Sequence, residues 1–136
     1  MATVRDVSQL AKVSQATASR VLQERDLIDG IGVQAHGLEH ANPAIIRTNV
    51  NALAELGLPI YVSELEFESA DDAAQLAMFQ RIFPVLWEHE AVAGVTLWGY
   101  RPGRIWKRNA YLLDWFDEER PARTRLRAPD DGTVQR

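Results

Sequence analysis

The chain of 136 residues has no cysteine, so neither a disulfide framework nor a thiolate metal site is open to it. No apolar run approaches the ~18 residues that a membrane-spanning helix needs. The N-terminus has no hydrophobic signal core, so the chain as written is expected to stay in the cytoplasm. Short repeats and low-complexity segments are also missing. What is present is ordinary for a folded protein: 46% hydrophobic and 25% charged residues exclude disorder throughout. The length suits one domain, or one domain with a small appendage.

The net charge of −4 is unevenly spread, because residues 1–23 carry Arg5, Lys12 and Arg20 against Asp6, a net of +2, and the remainder carries −6. A basic N-terminal piece on an acidic body fits an appendage that faces nucleic acid, and it also fits chance.

Hydrophobic periodicity divides the chain in the same place. "TVRDVSQLAK" begins with a capping box, Thr3 and Asp6, and sets Val4, Val7, Leu10 and Ala11 on one helical face. Ser14 caps a second short helix containing Thr17, Ala18, Val21 and Leu22. From residue 28 the pattern changes. A buried strand is predicted at about 28–36 and a second at about 59–67, and "VAGVTLWGY" is a third. Between the first two, Asn42 caps a helix with Pro43 at its first position and Gly57 closing it. Ser69 and Asp72 are expected to cap a long helix running through Trp87, with Pro84 inside it as a kink or a cost of about 3 kcal/mol. "RPARTRLR", 120–127, predicts a last short helix, and 128–136 reads as a frayed tail. Strands alternating with helices imply parallel pairing and an α/β fold.

Each predicted strand ends in side chains suited to a polar site: Gln34 and His36, then Glu64, then Trp98. In a parallel α/β barrel the C-terminal strand ends face the active site. Each residue alone has a plainer reading: a solvent-facing glutamate, a structural histidine, a core tryptophan. Glu66 has the same parity as Glu64, so alternation does not choose between them.

"IDGIGVQAH", "LGLPIYVSELEF", "RIFPVLWEHEAVAGVTLWGY" and "ERPARTRLR" resemble, in order and spacing, the C-terminal part of the family-10 glycoside hydrolases, the endo-β-1,4-xylanases. The resemblance covers about residues 27–127. It implies the last three β/α units of a (β/α)8 TIM barrel, acting on xylan or xylo-oligosaccharide without a cofactor or metal. It also implies Glu64 as catalytic nucleophile, His36 as the histidine bonded to it, Gln34 as a neighbour in the site, and Trp98 and Trp106 as walls of a sugar subsite. A retaining glycosidase needs a second carboxyl group about 5–5.5 Å from the first to protonate the leaving group. The family keeps that group on its fourth strand, after an asparagine, and residues 1–27 contain no Asn-Glu pair. An isolated chain of this kind is therefore expected to be inactive. Its open sheet edges favour a marginal fold or self-association. Complete relatives are commonly secreted, unlike the location expected for this chain.

"MATVRDVSQLAKVSQATASRVLQ" is similar to the start of the lactose-repressor (LacI) family headpiece, a helix-turn-helix. The resemblance implies DNA as a partner. Gln15, Ala16 and Arg20 would face base edges, and Ser14, Thr17 and Ser19 phosphates. Ala16 offers only a methyl group, and the third helix, hinge and dimerising core of such a headpiece have no counterpart in the chain. The organisation expected is thus a truncated helix-turn-helix at 1–23, a junction at 24–27, a barrel segment at 28–127 and a tail at 128–136. The two resemblances meet with neither domain complete, as in a recombined or mis-joined reading frame, and a non-functional fusion stands beside the glycosidase and DNA-binding readings.

Overall fold

A computed structural model describes residues 29–127. The helix-turn-helix, the junction and the tail expected from the sequence lie outside the described residues.

Among the described residues three strands and three helices follow one another in the order β1 (Ile31–Val33), α1 (Pro43–Ala54), β2 (Ile60–Leu65), α2 (Asp72–Trp87), β3 (Val92–Leu97) and α3 (Pro121–Arg127). The strands form one sheet in the order β1-β2-β3, and both pairings are parallel. The expected alternation is present, with shorter strands. β1 leaves the ladder after Val33, so Gln34 and His36 stand on the loop beyond it.

The helix boundaries have local causes. Asn42 Oδ1 accepts the Ala44 N–H at 2.9 Å and Pro43 has no N–H to leave unpaired, so α1 starts as its sequence requires. Gly57 takes φ +66° just beyond it, a conformation open to glycine. The start of α2 corrects the expectation: its cap is Asp71, whose Oδ1 accepts the Ala74 N–H at 2.7 Å. Ser69 instead accepts the Asp71 N–H, and Asp72 is already helical. Pro84 lies in the last turn of α2, which continues to Trp87. No helix among the described residues is long and apolar enough to cross a membrane.

One face of the sheet is packed. Ile46, Val50 and Leu53 of α1 and Phe79, Ile82 and Leu86 of α2 join Ile60, Val62, Leu65 and Phe67 in a single buried cluster. Each such side chain contributes roughly 1.5–3 kcal/mol by leaving water. The spacing along β2 carries the main structural point. Ile60 and Val62 alternate inward, and the next inward residue is Leu65, three positions on. The pairing with β3 slips at the same place: Val62 faces Val95 and Leu65 faces Leu97, so β2 carries one residue more than its neighbour. A slip of this kind redirects side chains in the way a β-bulge does. It leaves Ser63 and Glu64 both off the packed face, and Glu66 follows Glu64.

The other face is open. The ring of Tyr61 lies across it, against the positions of Gly30 and Gly94, and is 49% exposed. A Cβ on Gly30 would stand 2.8 Å from the Tyr61 ring and 3.0 Å from the Pro59 carbonyl oxygen, so the position just before β1 has no room for a side chain.

The long connection from β3 to α3 is held by buried polar groups. Gln75 of α2 donates to the Phe67 and Tyr111 carbonyls, both at 3.1 Å. Arg120, 5% exposed, donates to Asp72 Oδ1 and to the carbonyls of Asn109, Tyr111 and Ser69. These bonds replace the ladder that the connection lacks.

Candidate active site

The C-terminal ends of the three strands bring Gln34, His36, Glu64 and Trp98 together. Glu64 stands at the end of β2, the central strand. Gln34 Nε2 donates to its Oε1 at 2.9 Å, and His36 Nε2 lies 2.9 Å from its Oε2. Each carboxylate oxygen of Glu64 thus has its own partner from the β1 side. Two such contacts fix a carboxylate in direction.

Two tryptophans flank the imidazole edge-on. The ring centroids of Trp98 and Trp106 lie 6.4 Å and 5.3 Å from that of His36. Both indoles keep surface for a ligand, at 44% and 65% exposure. Trp98 remains tied to the sheet through its N–H, which donates to the Leu65 carbonyl at 2.9 Å.

The arrangement extends beyond the residues singled out from the sequence. His36 Nδ1 faces both oxygens of Glu66, at 2.9 and 2.8 Å. Glu66 is nearly sealed from solvent, with its side chain 1% exposed, and Lys107 Nζ lies 3.1 Å from its Oε1. The same ammonium bonds Glu39 Oε1 at 2.6 Å. Burial pushes the Glu39 carboxyl up, but the hydrogen bond and charge of Lys107 together with backbone donors outweigh it, and the net direction is below the ordinary 4.5. Burial pulls Lys107 down, yet its bonds to Glu39 and Glu66 carry it above the ordinary 10.5. The parity of Glu66 with Glu64 was the one sequence signal for this part. The carboxylates are not alternatives, because both bond the same ring. Lys107 and Glu39 gave no signal, being 68 residues apart in sequence.

Among the described residues no group of His, Asp and Glu is arranged to hold a metal ion. The residues assigned to DNA, Ser14, Gln15, Ala16, Thr17, Ser19 and Arg20, lie outside the described residues.

A carboxylate braced at the C-terminal end of a parallel strand, beside exposed indoles, stands where α/β barrels keep their active sites. The sequence profile of glycosyl hydrolase family 10 matches residues 7–128, and the chain belongs to that family. The match takes in most of the repressor-like stretch as well. Endo-1,4-beta-xylanase B of Cellvibrio japonicus is 41% identical over 100 residues, which cover 73% of this chain and 17% of that protein. Xylanase 10B from Thermotoga petrophila RKU-1, solved in complex with xylobiose, superposes with a TM-score of 0.65 at 26% identity, covering 82% of this chain and 39% of that one. A mutant of the intracellular xylanase TsXylA from Thermoanaerobacterium saccharolyticum JW/SL-YS485, in complex with xylotetraose, gives a TM-score of 0.64 at 26% identity over 83% of this chain and 40% of its own. The chain therefore spans less than a fifth of that curated relative and about two fifths of these solved structures. Its three parallel strands are part of the family barrel.

Proposed function

We propose that these residues form the nucleophile half of a retaining site for β-1,4-xylan. The observation that carries the reading is the double bracing of Glu64, by Gln34 on one oxygen and His36 on the other. In the first step a Glu64 oxygen attacks the anomeric carbon. A C–O bond forms to give a glycosyl ester, and the bond to the leaving sugar breaks. In the second step water attacks the same carbon, gives its proton to the second carboxylate that a retaining site requires, and releases Glu64. Trp98 and Trp106 offer faces to the apolar sides of the sugar and displace water from the reacting centre.

The leaving oxygen needs a proton from a second carboxyl group. Glu66 and Glu39, the other carboxylates bonded into the cluster, are held by His36 and Lys107. The proton donor is accordingly assigned to a part of the barrel outside the described residues, and the chain alone is assigned no turnover of xylan. The DNA-binding and self-association readings of the sequence have no observation among the described residues in their favour.

A slow substrate with a good leaving group separates the two halves of the chemistry. A 2-deoxy-2-fluoroxylobiosyl fluoride needs no acid to depart, so it should label the intact chain once, on Glu64, as read by peptide mass spectrometry. The Glu64→Gln variant should stay unlabelled. Label on another residue, or equal label on the variant, would sink the assignment.

A further inference from the structure

Five polar side chains join end to end at the rim of the sheet: Glu64, His36, Glu66, Lys107 and Glu39, each 2.6–3.1 Å from the next. They come from three segments. Glu39 follows β1, Glu64 and Glu66 end β2, and Lys107 belongs to the connection after β3. Among the described residues Lys107 is the cation that bonds both Glu39 and Glu66, and it is itself largely covered. Its placement is fixed from outside the cluster. Arg81 of α2 donates to the carbonyls of Glu39 and Ala41, at 2.5 and 2.8 Å, and so anchors the loop that presents Glu39. Lys107 also follows Trp106 in sequence and lies 5.5 Å from the centre of its ring.

An almost fully buried carboxylate is costly unless it is paired. His36 alone is a partner whose charge depends on pH, whereas Lys107 is a permanent one at neutral pH. We propose that Lys107, seated by Glu39, is a positioning residue. It fixes the Glu66 carboxyl where it accepts from His36 Nδ1, and that bond sets the imidazole so that Nε2 meets Glu64. The same side chain seats Trp106 against the imidazole, so one ammonium aligns both the carboxylate's brace and the aromatic wall. The catalytic consequence rests on Glu64 being the nucleophile, but the device itself is independent of that reading.

The test reads the imidazole directly, with the full chain labelled with ¹⁵N. In the parent protein the His36 Nδ1 proton should give a low-field ring resonance protected from exchange with water. Lys107→Met should abolish that resonance through exchange while amide signals of α1 and the β2 core keep their positions, and Lys107→Arg should restore it. Glu39→Gln, which leaves Lys107 in place but loosens its seat, should at least halve the resonance's intensity, and it decides the matter if Lys107→Met does not fold. A His36 ring proton equally protected in folded Lys107→Met, or in Glu39→Gln, overturns the proposal. Failure of Glu64 to take the fluorosugar would count against the nucleophile and leave this result standing.

Discussion

His36 and Glu64 meet at 2.9 Å although 28 residues separate them in sequence, because neighbouring parallel strands deliver imidazole and carboxylate to the same rim. The contact predicts a kinetic effect. His36→Ala removes one of two braces on Glu64, and a misdirected nucleophile loses on the order of 10²-fold in rate. Labelling of Glu64 by the fluorosugar should slow by about that factor, with the thermal midpoint moving little. Unchanged labelling in a folded variant would show that the ring does not orient the carboxylate.

The Tyr61 ring makes Gly30 irreplaceable. Gly30→Ala places a methyl group 2.8 Å from that ring and 3.0 Å from a backbone oxygen, which cannot swing away. The expected loss is about 1–3 kcal/mol, the usual cost of overpacking, read from the urea midpoint. Gly32→Ala has nothing within 4 Å of the new methyl and is the control.

Arg120 is a second point of fragility. Its guanidinium serves three main-chain carbonyls and Asp72, so Arg120→Met leaves acceptors in the connection without donors. A loss of about 3–5 kcal/mol is expected, as for breaking a buried charged network. Amide exchange should quicken first at residues 109–112. A variant as stable as the parent would mean that Gln75 suffices.

The Glu39–Lys107 pair sets a pH window. Glu39 is depressed in the folded chain, so its contribution is complete above its ordinary 4.5 and is lost as pH falls through the lower folded value. Lys107 is raised, so its contribution is complete below its ordinary 10.5 and is lost as pH rises through the higher folded value. Lys107→Met should therefore flatten both the acid and the alkaline limb of stability against pH, measured by denaturant titration. Limbs that keep the parental shape would show that other groups control them.

Much of the fold was legible in the sequence. Asn42 and Pro43 begin α1 as read, and the order of strands and helices is the one that periodicity implies. Asp71, the cap, is flanked in sequence by Ser69 and Asp72, whose side chains suit the role equally well. Which of three neighbouring polar groups bonds the helix depends on backbone angles rather than on composition. Gln34, His36 and Glu64 stand at strand ends in the sequence, and the fold brings their side chains to 2.9 Å contacts. The contacts of Glu66, Lys107, Gln75 and Arg120 are not legible in this way, because their partners are carbonyls and carboxylates distant in sequence. Polar groups of that sort leave no periodic trace.

The uneven step from Val62 to Leu65 has a consequence for how the segment tolerates change. Removing a single codon between them would restore a strict two-residue rhythm to β2. Leu65 would keep its inward place and Glu64 its outward one, but the carboxylate would be drawn back along the strand by one residue, roughly 3.3 Å, away from Gln34 and His36. Length at this spot matters as much as chemistry: trading one small polar residue for another at Ser63 is mild, whereas shortening the strand by one would pull the carboxylate out of reach of both its partners.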